Sequence, residues 1–228
     1  MARARPRNLA ARTADDSLEY FFARLPALLG RTASPAERAA FERYADLLLF
    51  WNRAHHLTAV KTRAAVGQRL FLDSLLFRSL LPPSPTRVAD VGAGAGIPGV
   101  PLRIVDPGVR LTMIESRRKP ISFLHTLTRE LGLSDVDVLH GRVEELAGHA
   151  ARMHGAFDVV LTRSVRLEPE LLEASMRLLK PHGKFVASGP PPNRQPPEIQ
   201  WSSVASWKTI SFDKLGIERR FFIAASGS

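Results

Sequence analysis

The sequence predicts an α/β protein with a Rossmann-like, mostly parallel sheet, preceded by an all-helical section. Three observations carry this prediction. From residue 87 onward, short apolar runs alternate with helical patterns, the signature of a parallel sheet with crossover helices. A glycine-rich loop closes the first of those runs. Before residue 84 the apolar spacing is helical only. The expected division is a flexible basic arm at 1–16, a helical section at 17–83 and a sheet domain at 84–228.

The arm is read from Arg3, Arg5, Arg7 and Arg12 amid little apolar content. Residues 17–29 have a helical pattern, with Pro26 expected to disturb its middle. Ser34-Pro35-Ala36-Glu37 is a helix start. Ser can cap, Pro suits the first turn, and Glu three residues on can close a capping box. Ala40, Phe41, Tyr44, Leu47, Leu48 and Trp51 follow at helical spacing, so a helix is expected over 35–53. Another is expected over 62–80, ended by Leu81-Pro82-Pro83-Ser84-Pro85.

Strands are expected at 87–91, 111–115, 136–140, 157–162 and 184–188. Helices are expected at 99–105, 118–131, 143–150 and 168–180. Two late strand-like runs, 207–212 and 219–224, have no helix between them. They predict an antiparallel end to a seven-stranded sheet. Residues 189–197 are nearly all loop formers.

Composition bounds the function. Lys and Arg number 32 against 22 Asp and Glu, a formal charge of +10, which points to a polyanion partner. There is no Cys, so disulfides, thiolate metal sites and cysteine nucleophiles are excluded. No apolar run approaches the roughly 18 residues of a membrane span. The start of the chain also lacks the apolar stretch of a secretory signal. A cytoplasmic protein without membrane attachment is expected. His55, His56, His125, His140, His149, His154 and His182 show no metal-ligand spacing, and no metal is expected.

The chemistry centres on Asp90-Val91-Gly92-Ala93-Gly94-Ala95-Gly96. Glycines at a strand end allow a sharp turn and close approach of a ligand. The dinucleotide fingerprint is G-x-G-x-x-G, but here the third Gly comes one residue early, as G-x-G-x-G. No GK[ST] ending follows, so a P-loop is excluded. S-adenosylmethionine has no phosphate and suits this spacing. Asp90 can receive its ammonium directly or through water. Glu115, at the next strand end and about 20 residues past the first Gly, can accept both ribose hydroxyls, with Ser116 beside it. Val143 and Glu144 follow the third strand, where the adenine ring is expected. Arg163 directly follows the fourth, at the carboxyl edge where ligands bind in open sheets.

These residues lie within a longer resemblance. DVGAGAGIPGVPL at 90–102, IESRRKPISFL at 114–124, GRVEEL at 141–146 and LTRSV at 161–165 resemble the GidB-type (RsmG) family. Upstream, Trp51-Asn52 followed by Leu57-Thr58 resembles that family's W-N-x-x-x-N-L-T. Phe71-Leu72-Asp73-Ser74 resembles its D-S segment. The family's members methylate guanine N7 in 16S ribosomal RNA. The resemblance implies a class I S-adenosylmethionine-dependent methyltransferase fold. It also implies cofactor contacts at Gly92, Ile97, Val143, Glu144 and Arg163, and Asp73 and Arg163 facing the transfer site. The implied partner is 16S ribosomal RNA or the small ribosomal subunit, met by a monomer.

Two departures stand out. His56 occupies the usual Asn position. Ser188-Gly189-Pro190 stands where the family carries Lys before Gly. Candidate RNA contacts are Arg53, His56, Lys61, Arg117, Arg118 and Lys119, with His55, Arg63 and Arg69 nearby. Open alternatives are a methyltransferase acting on another substrate, a nicotinamide oxidoreductase, and a non-catalytic RNA-binding protein of the same fold.

Overall fold

A computed structural model describes residues 16–149, 153–199 and 205–227. The expected basic arm therefore lies, but for residue 16, outside the described residues.

The helical section folds as a string of packed rods. The pattern at 17–29 becomes two helices, α1 (Glu19–Phe22) and α2 (Leu25–Leu29), because Pro26 sits in the first turn of the second rather than inside one longer helix. The long α3 (Pro35–His55) begins at the expected capping box. Ser34 Oγ accepts from the Glu37 N–H at 3.2 Å, and Glu37 Oε2 accepts from the Ser34 N–H at 2.7 Å. It runs two residues past the expected end and stops at His56, which takes a left-handed φ of 50°.

The next rod is irregular. It passes from α4 (Arg63–Val66) through a π-helical turn (Gly67–Phe71) and α5 (Leu72–Leu75) to a 3₁₀ turn (Leu76–Leu80). At Gly67 a Cβ would sit 3.0 Å from both Leu18 and Phe21, so the missing side chain lets α1 close on this turn.

The sheet has seven strands: β1 (Thr86–Val91), β2 (Val109–Glu115), β3 (Val136–His140), β4 (Phe157–Thr162), β5 (Leu179–Ser188), β6 (Ala205–Phe212) and β7 (Ile217–Ala225). Their spatial order is β3-β2-β1-β4-β5-β7-β6. The first five are parallel. β7 pairs antiparallel with both β5 and β6, as the late pair of apolar runs predicts. α6 (Gly99–Val105), α7 (Arg118–Glu130), α8 (Val143–His149) and α9 (Pro169–Leu178) make the crossovers. The last helix ends before residue 180 because β5 begins early, at Leu179.

Each face of the sheet is covered. Phe21, Phe41, Tyr44 and Phe71 from the helical section join Val88, Leu111 and Phe221 from the sheet in one continuous apolar cluster. Phe21 and Phe41 meet edge to face at 4.8 Å. A second cluster under α8 and α9 covers the opposite face. The strand order reverses between β1 and β4: the chain winds outward from β1 on one side and from β4 on the other. The loops at their carboxyl ends therefore diverge and leave a crevice there.

Candidate active site

The crevice at that switch point holds a cavity of about 670 Å³, within the size range of small-molecule sites. Three segments supply its walls. The first is the loop after β1, with Gly92, Ala93, Gly94, Ala95 and Ile97. The second comprises Glu115, Ser116 and Arg117 after β2. The third comprises Arg163, Ser164 and Val165 after β4. Leu57–Val60, with Arg69 and Leu70, close it from the helical section.

The glycines act differently along the loop. Gly92, Gly94 and Gly96 all have positive φ. At Gly96 a Cβ would lie 2.9 Å from Val100 and 3.0 Å from the Tyr44 hydroxyl, so packing alone requires Gly. At Gly94 the nearest atom to a Cβ would be 3.7 Å away. A side chain there would fill the cavity rather than strike the protein. This is a cradle kept bare for a ligand.

Glu115 faces that cradle while being almost wholly buried. Its Oε2 accepts from the Gly94 N–H at 2.9 Å, and its Oε1 accepts from the Arg117 backbone N–H at 2.9 Å. Arg117 Nε reaches Oε1 at 3.1 Å. Burial pushes the carboxyl up, but these donors outweigh it and hold Glu115 below the ordinary glutamate range. It is an ionised acceptor whose oxygens also take the Arg117 guanidinium, at 3.1 and 3.4 Å, so ligand hydroxyl groups would replace that side chain there. The Arg117 side chain is mostly exposed and free to swing aside.

Asp90 is placed otherwise than expected. It is fully buried and does not line the cavity. Its Oδ2 accepts from the Gly99 N–H at 2.8 Å, while Oδ1 has no partner. Burial pushes it up to about 7, opposed by the Gly99 bond. The arrangement closes the start of α6 against β1. Gly99 is required for this, since a Cβ there would lie 2.8 Å from Asp90 Oδ2.

Val143 and Glu144 also stand outside the cavity. Val143 is buried in the cluster under α8, and Glu144 lies 3.7 Å from Arg142. Gly96 is likewise behind the wall.

Arg163 lines the cavity and Asp73 holds it. Arg163 Nε donates to Asp73 Oδ2 at 2.7 Å, and Arg163 also donates to the Arg69 carbonyl at 2.9 Å. Asp73 is buried and takes a second cation on its other oxygen, Arg219 of β7. Burial pulls both guanidinium groups below their ordinary values.

Sequence reasoning missed Arg219. The available signal was an arginine pair, Arg219-Arg220, running into the buried Phe221-Phe222. It also missed two supports. The Tyr44 hydroxyl donates to the Ala95 carbonyl of the glycine loop. Asn52 accepts from the Thr58 N–H at 2.8 Å and donates to the Val60 carbonyl at 3.0 Å, which shapes the Leu57–Val60 wall. The left-handed backbone at His56 accounts for the family's Asn there, and nothing in the structure explains the His. That position is a left-handed helix end, which Asn tolerates well and His less so.

Among the candidate RNA contacts, Arg53, His56 and Lys61 line a neighbouring hollow of about 640 Å³ that shares Thr58 with the central cavity. Arg117, Arg118 and Lys119 are exposed beside Glu115. Arg63 is not available to RNA, because it is buried and pairs with Glu42 and Asp46. Among the described residues there is no cluster that could hold a metal ion, and no helix is long and apolar enough to cross a membrane.

Comparison with known proteins places this geometry in a family. The family model described as GidB, rRNA small subunit methyltransferase G, matches residues 37–189. Ribosomal RNA small subunit methyltransferase G of Lactococcus lactis is 41% identical over 149 residues, 64% of this chain and 62% of that protein. The chain thus matches somewhat less than two thirds of that relative's length. The protein of the same name in Streptococcus pyogenes is 38% identical over 160 residues, 69% of this chain and 67% of its own. The crystal structure of a SAM dependent methyltransferase from Aquifex aeolicus superposes with a TM-score of 0.51 at 15% identity, covering 71% of this chain and 92% of that one. That likeness is one of fold.

Proposed function

The chain belongs to the GidB family, rRNA small subunit methyltransferase G, and from that membership we propose that it transfers a methyl group from S-adenosylmethionine to N7 of a guanine in 16S ribosomal RNA. The observation that carries the reading is the bare Gly94 cradle facing the ionised Glu115 carboxylate at the β1/β4 switch point. The donor set fits the cofactor: a carboxylate for two ribose hydroxyls, and a glycine backbone that a ligand can approach. No lysine or P-loop for a phosphate is present there.

When bound, S-adenosylmethionine supplies an electrophilic methyl carbon on a sulfonium. Gly92, Gly94 and Ile97 would hold its amino-acid end, and Glu115 with Ser116 its ribose. Asp90 would act from behind the loop, by fixing the start of α6. Guanine N7 carries a lone pair and no proton, so its attack needs no general base. The sulfonium would supply both the methyl group and a neutral thioether leaving group, so the transfer would balance with the positive charge ending on the base. The protein's task is then alignment of the two reactants. Arg163, locked by Asp73 and the Arg69 carbonyl, keeps further N–H groups for orienting the acceptor from beside the cavity.

The net charge of +10 and the exposed Arg117, Arg118 and Lys119 support an RNA substrate. The setting of this reaction would be the cytoplasm, with one copy of the chain acting on the small ribosomal subunit. The test is methyl transfer from labelled S-adenosylmethionine to small subunits lacking the modification, followed by digestion of the RNA. Label in 7-methylguanosine is expected. No label from protein that demonstrably binds the cofactor would overturn the substrate assignment.

A further inference from the structure

A second cavity, of about 440 Å³, opens at the carboxyl ends of β4 and β5, and the reaction above leaves it without a use. Val165, Leu172, Ser188, Pro190 and Trp207 line it, with the charged residues Arg166, Glu168 and Glu198. Val165 also belongs to the wall of the central cavity, so the two adjoin.

The proline-rich loop is built into this cavity. Arg220 donates to the carbonyls of Pro192 and Arg194, and Trp207 Nε1 donates to the Pro197 carbonyl at 3.1 Å. At Gly189 a Cβ would lie 2.5 Å from the Trp207 ring, so only Gly lets the chain pass under it. Trp207 also packs on Phe222 at 5.3 Å. The aromatic wall is thus held from several sides, and the prolines limit what the loop can do when empty. Ser188, where the family carries Lys, adds no second long cationic side chain beside Arg166 in this lining.

We infer that this cavity receives an unpaired nucleobase adjacent to the methyl acceptor in the RNA, with guanine preferred. The inference rests on the RNA-methyltransferase reading above. Apolar walls with a fixed aromatic are how proteins receive splayed RNA bases. Two carboxylates against one cation, Arg166, leave the lining net negative, which attracts a base edge that donates. Guanine presents N1–H and N2–H together, a match for both oxygens of one carboxylate. Glu168 pairs with Arg166 at 2.7 Å; that Arg also lines the cavity, and its side chain is 89% exposed, which places a cation for phosphate at the mouth. The acceptor itself belongs in the central cavity, because Arg163 lines only that one.

The experiment has two arms on the full chain with S-adenosylmethionine present. The indole N–H resonance of Trp207, assigned with Trp207→Phe, is followed during titration with GMP and with UMP. GMP is expected to shift it, and UMP at equal concentration is not. Methyl transfer to small subunits is then measured for Trp207→Ala and for the Glu168→Gln/Glu198→Gln pair. Loss of the stack should raise KM for the subunit about tenfold, with kcat reduced less than twofold. The Gln pair, which leaves the Trp207 packing intact, should abolish the preference for GMP over UMP. No response of the Trp207 resonance to GMP, or wild-type KM in both variants, would overturn the inference. So would a loss confined to kcat, which would put the acceptor in this cavity. A wild-type protein that transfers no methyl to RNA, yet whose Trp207 responds to GMP, would defeat the function and leave the base site standing.

Discussion

At Gly94 the loop leaves space that no atom of the protein uses, whereas at Gly96 the space is already taken by Val100 and Tyr44. The two glycines should therefore answer differently to substitution. Gly94→Leu places a side chain in the cavity and strains a φ of 53°, at a cost of about 1–2 kcal/mol. We expect a folded protein that no longer binds S-adenosylmethionine by calorimetry. Binding within tenfold of wild type would remove the loop from the cofactor site. Gly96→Ala should instead lower the melting temperature.

Asp90 makes a prediction in pH. Its carboxyl is raised by burial from the ordinary aspartate range to about 7 in the folded state. Across the window from its unfolded value to about 7, the native state binds the extra proton, so this group's contribution to stability falls as pH rises. Asp90→Asn removes that term. The melting temperature of wild type minus that of the variant should be greatest at the acid end of the window, shrink as pH climbs towards about 7, and level off above it. A flat difference would mean that Asp90 stays ionised throughout.

At the scale of elements, the helical section acts on the site through its side chains rather than merely covering the sheet. Asn52, in the last turn of α3, fastens the Leu57–Val60 segment through two hydrogen bonds. Asn52→Ala leaves a partly buried N–H and C=O without partners, at a cost of about 1–3 kcal/mol. Because that segment walls the cavity, the variant should lose cofactor affinity along with thermal stability. A loss of stability with unchanged affinity would show that the wall does not touch the ligand. Tyr44 does related work about two turns earlier in the same helix, holding the Ala95 carbonyl of the glycine loop.

At the scale of the whole molecule, one carboxylate joins three regions. Asp73 comes from the helical section, Arg163 from the end of the parallel part of the sheet, and Arg219 from its antiparallel end. Asp73→Asn keeps the volume and removes the charge, leaving two largely buried cations facing each other. Breaking a buried pair in this way costs about 3–5 kcal/mol. We expect the low end, since the Arg219 side chain is 28% exposed. Urea unfolding measures the loss, and a change under 1 kcal/mol would show that the arginines find other partners. Methyl transfer should fall further than stability alone explains, because Arg163 loses its orientation.

The alternation of strand and helix, the antiparallel close of the sheet, the Ser34–Glu37 capping box and the glycine loop at the end of β1 were all legible in the sequence. Each depends on residues a few positions apart, whose spacing sets which face is buried or where the backbone turns. The position of Glu115 at the cavity wall was legible for the same reason, since parallel strands place their ends along one edge. That Pro26 opens a second helix rather than disturbing the middle of one, and that Arg63 is buried rather than open to RNA, were not legible. A proline's place in a turn and an arginine's burial depend on what packs against them. Tertiary structure alone decided that Asp90 closes α6 behind the loop, that Tyr44 meets Ala95 across 51 positions, and that Asp73 reaches Arg163 and Arg219 across 90 and 146. It also decided that the proline-rich loop walls a second cavity. Periodicity specifies which side of an element is apolar but says nothing about which distant polar atom will be waiting there. Those pairings follow only once strand order and helix packing have brought the segments together.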